Sequence, residues 1–349
     1  MASTGIRTAA LDLRARRAFG GLLPLLDDPE LRDLLLQARG GEAQLWLDRG
    51  AGLQQMRGWH AEPDAVSRLG VALIAAGGRH LDELHPFADA RLGDGIRVHA
   101  VLPPVAVSGA AVSIRVPRPA PLGFSELVAT GLCTAGVARL LAEAVAARRN
   151  LLITGATASG KTTVLGALLD LAGAGERIIS IEDVAELRLQ HRHVIALEAR
   201  QANSEGAGEV SLDRLLREAL RMRPDRIVLG ECRGAEVMTL LTALNTGHDG
   251  GAGTLHASAL ADVPARLEAL GALAGLDADA TARQVVAALH LVVHLERGPL
   301  GHRVAAVGRP VLERGGLAIR AVGAAGSFGG SSGGSSGGSS AGSIGRDGE

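Results

Sequence analysis

Leu151-Leu152-Ile153-Thr154-Gly155-Ala156-Thr157-Ala158-Ser159-Gly160-Lys161-Thr162-Thr163 is the stretch that decides the fold. Apolar residues run straight into a glycine loop, and Val164, Leu165, Leu168 and Leu169 follow at helical spacing. Residues 155–162 fit the phosphate-binding pattern GxxxxGK[ST] in the strand–loop–helix context that the pattern requires. Glycines let backbone N–H groups wrap an anion, and the following helix presents its positive end. Lys161 is placed for the outer phosphates of a nucleotide, and the Thr162 hydroxyl for Mg²⁺. Of the 36 basic residues, every one but Lys161 is Arg. A bias that replaces Lys almost everywhere leaves it where Arg cannot substitute.

Downstream, Ile178–Ile181, Ile227–Leu229 and Thr254–Leu255 are further short apolar runs. They alternate with helical patterns at Leu212/Leu215/Leu216/Ala219, behind an N-cap Ser211, and at Val237/Leu240/Leu241/Leu244, stopped by Gly247. Strands apolar on both faces, interleaved with helices, indicate a mostly parallel α/β sheet. Arg223-Pro-Asp-Arg-Ile-Val-Leu-Gly-Glu231 is an apolar strand ending in an acid, the arrangement in which Glu231 holds Mg²⁺ through water or polarises the attacking water. Glu182-Asp183-Val-Ala-Glu186 is a second acid cluster at a strand end. His248 and His256 flank Gly250-Gly251-Ala252-Gly253, which is expected to be a mobile loop with a phosphate sensor on each side.

Upstream, the first third has a different pattern. Asp28-Pro29 offers an N-cap and N1 for a helix carrying Leu31, Leu34, Leu35 and Ala38. Leu45-Trp46-Leu47 and Leu53 bracket a hairpin turn at Asp48–Gly52, and Leu69, Ala72, Leu73 and Ala76 mark a helix between Asp64 and Gly77-Gly78. Ile96, Val98, Ala100 and Leu102 alternate with Arg97 and His99, and Val112, Ile114 and Val116 alternate with Ser113 and Arg115, giving strands with one apolar face. Pro117, Pro119 and Pro121 form a stiff connector. The expected organisation is an α+β domain over 1–116, a linker at 117–125, a nucleotide-binding domain over 126–325 and a flexible Gly/Ser tail at 326–349. Three Gly-Gly-Ser-Ser repeats fall in that tail.

The chain has 349 residues, 47% apolar and 21% charged, with a formal charge of −1. That balance supplies no bulk basic field for nucleic acid, and a chain without Tyr has few stacking platforms. No specific nucleic acid is therefore expected as a partner. Cys133 and Cys232 lie far apart, which argues against a zinc knuckle or disulfide framework and fits a reducing cytosol. No run reaches the ~18 apolar residues of a membrane span.

Taken in order, the P-loop, Ile-Glu-Asp-x-x-Glu-Leu, Leu220–Glu236 and Asn-Thr-Gly-His-Asp-Gly…Thr-Leu-His-Ala resemble the secretion ATPase superfamily of type II and type IV secretion and type IV pili. Leu220–Glu236 looks most like the CpaF/TadA branch, the tight-adherence pilus ATPases. Likeness extends over roughly residues 18–298, including Phe19-Gly-Gly-Leu-Leu-Pro-Leu-Leu and Asp89-Ala-Arg-Leu-Gly-Asp-Gly. The resemblance implies a RecA-like P-loop ATPase domain joined to a smaller N-terminal α+β domain, with ATP and Mg²⁺ bound between them. It also implies a homo-hexamer, cytoplasmic and peripherally associated with the membrane, working with inner-membrane platform proteins to assemble pilins or export protein. By position, Glu186 and Glu231 match the family's catalytic glutamates and His256 its γ-phosphate histidine. Arg97 and Arg115 match the N-terminal arginines that reach the nucleotide when the domains close. Ala158 stands where relatives carry Gly, which is costly if that residue needs φ > 0. The competing readings are an ATP-driven nucleic-acid translocase on the same core and a nucleotide-binding assembly scaffold that hydrolyses weakly.

Overall fold

Residues 6–117, 121–200, 208–298, 301–313 and 315–322 are described by the structure, a computed structural model. The expected Gly/Ser tail and the centre of the proline connector lie outside these residues. At the start of the chain, α1 (Ile6–Ala9), α2 (Leu13–Phe19) and a 3₁₀ stretch (Gly20–Asp27) lead into β1 (Asp33–Arg39). The helix expected from Leu31/Leu34/Leu35/Ala38 is therefore a strand. Leu34, Leu36 and Ala38 alternate into the core, and the chain reverses through Gly40 and Gly41, both at positive φ. Asp28 accepts the Glu30 N–H at 3.0 Å, so Asp28-Pro29 makes a turn rather than a helix cap. Pairing on both sides of β1 outweighs a spacing compatible with either period.

The remaining N-terminal elements are β2 (Glu42–Asp48), β3 (Leu53–Gln55), α3 (Pro63–Ala76), β4 (Phe87–Leu92), β5 (Ile96–Val101) and β6 (Ala111–Arg115). The strands form one antiparallel sheet in the order β3-β2-β1-β6-β5-β4. The β2–β3 hairpin, the helix α3 and the two alternating strands lie where the sequence indicates. One core, from Leu11 to Val116, fills the face covered by α3. On the opposite face Arg91, Arg97 and Arg115 fall abreast, as Cα partners across β4–β5 and β5–β6.

The second domain opens with α4 (Phe124–Ala129), which takes in the last two residues of the expected linker, with Phe124 already in its core. There follow α5 (Ala135–Ala146), β7 (Leu151–Gly155), α6 (Lys161–Leu169), β8 (Ile178–Glu182), β9 (Val194–Glu198), α7 (Leu212–Leu220), β10 (Arg226–Leu229), α8 (Glu236–Asn245) and β11 (Ala252–His256). The domain ends with α9 (Val263–Leu273), α10 (Ala278–Ala288), β12 (Leu291–Gly298), β13 (Gly301–Glu313) and β14 (Gly316–Ala321). The sheet order is β14-β13-β12-β7-β11-β10-β8-β9, parallel from β12 to β9 and closed by an antiparallel β13–β14 extension. Strands β7, β8 and β10 are buried along their whole length, and helices cover both faces with separate cores. Among the described residues, no helix is long and apolar enough to cross a membrane.

At the edge away from the P-loop, one charge lies inside this packing. Arg226 is 1% exposed. It donates to both Glu176 carboxylate oxygens at 2.9 and 3.0 Å, to the Val145 carbonyl at 2.8 Å and to the Gly250 carbonyl at 3.2 Å. Burial pushes the Glu176 carboxyl up, but the guanidinium outweighs it and holds that carboxyl below its ordinary value. Removing Glu176 leaves the buried Arg226 charge without its carboxylate, so Glu176→Ala is expected to cost about 3–5 kcal/mol, and Arg226→Ala less on account of charge, since Glu176 is 18% exposed and keeps Arg148 at 3.7 Å. Chemical denaturation should show the double variant losing less than the sum of the two.

Candidate functional site

The parallel strands end together, and the loops beyond their C-terminal ends carry the polar residues. Strand β7 runs into the P-loop, and α6 begins at Lys161 behind Gly160. Gly160 has φ 90° and contributes no side-chain cap, so the first N–H groups of α6 face outward for an anion. Ala158 sits at φ 57°, in the left-handed region that favours glycine, so the departure noted in the sequence falls at a strained position. Around it, Ala156, Thr157, Ser159, Thr162 and Thr163 complete the loop and the first helical turn. Ser159 Oγ is buried with no hydrogen-bond partner among the described residues.

Lys161 Nζ donates to the Gly155 and Ala156 carbonyls at 3.0 and 2.8 Å and lies 3.4 Å from His256 Nδ1. Burial lowers the ammonium below its ordinary value, against the pull of Glu231 and Glu186. Past it, His256 Nε2 is 2.9 Å from Glu231 Oε1, and Glu231 Oε2 is 2.6 Å from Arg233. Burial and the neighbouring Lys161 push the His256 imidazole down. A neutral ring with its proton on Nε2 donates to Glu231 and presents Nδ1 to Lys161. Burial is the largest influence and works to raise the Glu231 carboxyl, but the Arg233 hydrogen bond and the charges of Arg233, His256 and Lys161 together hold it below its ordinary value. Arg233 also lies 3.6 Å from Asp183, which links the loop after β10 to the loop after β8.

The loop after β8 is built on Glu182. This residue is 4% exposed, and its carboxylate accepts the N–H groups of Glu186 and Leu187 at 3.0–3.2 Å. Gly230 lies against it so closely that any side chain there would strike Glu182 Cγ. Burial raises the Glu182 carboxyl to about 7. Glu186 itself turns toward the N-terminal domain, where Arg97 donates to its Oε1 at 2.5 Å and to the Val184 carbonyl at 3.2 Å.

Of the residues singled out from sequence, Lys161, His256, Glu231, Glu186 and Arg97 thus come to one place. Arg115 is 65% exposed and pairs with Asp33 of its own sheet at 3.3 Å rather than with a group of the P-loop domain. His248 lies at the opposite end of β11, with Nδ1 3.2 Å from the Ala243 carbonyl at the end of α8. Gly250–Gly253 is no mobile loop. Ala252 and Gly253 belong to the central strand β11, and Gly251 packs against the Ile227 carbonyl. Sequence reasoning passed over Arg233, which lies within Leu220–Glu236, and the loop-holding Glu182, whose motif was visible but whose burial was not.

Thr162 and Glu231 supply oxygen donors of the kind Mg²⁺ takes, and one or two protein oxygens beside substrate phosphates suffice for that ion. Among the described residues no cluster of three or more His, Cys, Asp or Glu could cage a metal.

Two stability measurements test this description. Left-handed φ costs a non-glycine residue about 1–2 kcal/mol, and glycine gives back ~0.4–1 kcal/mol through the unfolded chain. Ala158→Gly is therefore expected to raise the denaturation midpoint slightly. For Glu182, the folded state binds the proton more tightly than the unfolded state. Its stabilisation is complete below the ordinary value of 4.5 and is lost as pH rises through about 7. The stability difference between wild type and Glu182→Gln should shrink steadily over that window.

The chain is 48% identical over 290 residues to "Putative conjugal transfer protein Rv3659c" of Mycobacterium tuberculosis H37Rv, covering 81% of this chain and 82% of the relative. It is 33% identical over 275 residues to the type IV secretion system protein PtlH of Bordetella pertussis, covering 72% and 79%. In fold it is similar to the Legionella pneumophila ATPase DotB, with a TM-score of 0.56, 20% identity and coverage of 79% and 74%. Residues 67–314 match the family described as type II/IV secretion system protein, and the chain belongs to that family.

Proposed function

We propose that this protein is an ATP-hydrolysing motor, working as a homo-hexamer on the cytoplasmic face of a membrane machine that assembles pilins or exports protein. The observation that carries this reading is the unbroken contact chain Lys161–His256–Glu231–Arg233 at the P-loop, with Arg97 arriving from the other domain at Glu186.

In this reading Lys161 leaves its loop carbonyls to neutralise the outer phosphates of ATP. Glu186, on a backbone held by Glu182, accepts a proton from the attacking water. His256, neutral and bonded to Glu231 through Nε2, senses the terminal phosphate through Lys161, whose ammonium leaves Nδ1 for the phosphate oxygens. Thr162 and Glu231 would hold Mg²⁺, which supplies positive charge where negative charge develops on the phosphates. When ATP enters, Arg97 exchanges Glu186 for phosphate oxygens, drawing the N-terminal domain over the site. Arg115, the neighbour of Arg97 across β5–β6, follows only on further closure. Hydrolysis then returns Arg97 to Glu186 and the domains part. The tight-adherence likeness of Leu220–Glu236 supports a pilus as the machine and inner-membrane platform proteins as its partners. A second reading, a conjugal transfer motor, is favoured by the name of the Mycobacterium tuberculosis relative.

Steady-state ATPase assays check the assignment. Lys161→Ala should abolish turnover and weaken nucleotide binding, whereas Glu186→Gln and Glu231→Gln should retain ATP and lose turnover. An arginine supplied to a P-loop site is worth ~10³–10⁵ in rate, so Arg97→Ala should fall by roughly the lower figure and Arg115→Ala by less, with both melting as wild type. Turnover at the wild-type rate in Lys161→Ala would sink the reading. Salt-sensitive stimulation by DNA would favour the conjugal alternative.

A further inference from the structure

Glu182 and Glu198 end adjacent parallel strands in register, β8 and β9. The loop between them passes over both carboxylates. Glu198 Oε2 accepts the Ala185 N–H at 3.1 Å, while Glu182 takes the next two N–H groups, those of Glu186 and Leu187. Three successive backbone donors around Glu186 are thus held by two carboxylates. Glu198 Oε2 also receives Arg91 Nη1 at 2.7 Å. Arg91 is the Cα partner of Arg97 across β4–β5, and Arg97 bonds the Glu186 side chain. A single antiparallel residue pair of the N-terminal domain therefore reaches the loop in two ways, at the Glu186 carboxylate and at the carboxylate that anchors the preceding N–H.

We propose that Glu198 and Arg91 are positioning residues for Glu186, carrying the placement of the N-terminal domain into the geometry of the catalytic loop. This rests on the role given to Glu186 above. Both side chains of the pair are more than a third exposed, so the ion pair contributes little to stability. Its effect is geometric. Glu182, in the sheet, fixes the Glu186 and Leu187 end of the turn. Glu198 fixes the Ala185 end, and Arg91 keeps the Glu198 carboxylate turned toward it. Without Glu198 the Ala185 N–H loses its acceptor, and the turn before Glu186 is held only from the Glu182 side and by Arg97. A misplacement of about 1 Å costs on the order of 10²-fold in rate.

The test is steady-state ATPase with thermal melting on the full chain. Glu198→Ala should lower kcat by roughly ten- to a hundredfold, with KM for ATP and the melting midpoint unchanged. Glu198→Gln keeps an oxygen for the Ala185 N–H but loses the charge that faces Arg91. It and Arg91→Ala should give the same smaller loss, and the double variant no more than either alone. In a Glu186→Asp background, which keeps a carboxylate but already misplaces it, Glu198→Ala should cost clearly less than in wild type, as expected of a residue that acts through Glu186. Wild-type kcat in Glu198→Ala, or an undiminished loss in the Glu186→Asp background, overturns the positioning role while leaving the motor reading intact. Wild-type turnover in Glu186→Gln overturns the catalytic role given to Glu186 and the inference built on it, while the motor reading stands or falls with Lys161→Ala.

Discussion

Strands β7, β8 and β10 are buried on both faces, and everything else at the site follows from that constraint. A strand with no solvent face has little room for polar side chains except at its ends. The P-loop, Glu231 with Arg233, the Glu182–Glu186 segment and His256 accordingly crowd the C-terminal edge of one sheet. The opposite edge holds the buried Arg226–Glu176 pair and His248, which contribute packing and capping. Conversely, the N-terminal sheet buries one face only. Its outer face is free to carry Arg91, Arg97 and Arg115 in a row.

The two domains meet through charge more than through apolar packing. Arg97–Glu186 and Arg91–Glu198 both join β4–β5 to the segment around β9, and all four side chains are partly solvated. Such contacts are weak enough to break and reform during a cycle of domain motion. Glu186 paired to Arg97 and Lys161 folded onto loop carbonyls are both arrangements that a phosphate can displace, since each group keeps its charge while bonded to a replaceable partner.

How much of this the sequence carries differs between the two domains. The P-loop was legible because its chemistry needs particular residues at fixed spacing, and the strands β7, β8, β10 and β11 because continuous apolar runs mean double burial. Strand β1 was misread, since Leu31, Leu34, Leu35 and Ala38 satisfy a helical period while Leu34, Leu36 and Ala38 satisfy an alternating one. Only the pairing partners β2 and β6 choose between them. The Gly250–Gly253 run was misread for a related reason. Glycine marks loops in general, but here it admits the Ile227 carbonyl beside Gly251 as the chain enters a central strand.

By itself the sequence determined the P-loop motif, the family and the class of fold, because motif spacing and apolar patterning are local properties. Tertiary structure alone decided which charges meet. Arg97 and Arg115 alternate identically with apolar neighbours, yet one reaches Glu186 and the other pairs with Asp33. Glu182 and Glu186 sit in one acidic cluster, yet one is buried with a carboxyl raised to about 7 and the other is 41% exposed. Burial and through-space distance set the energy of a charge, and neither is written in the order of residues along the chain.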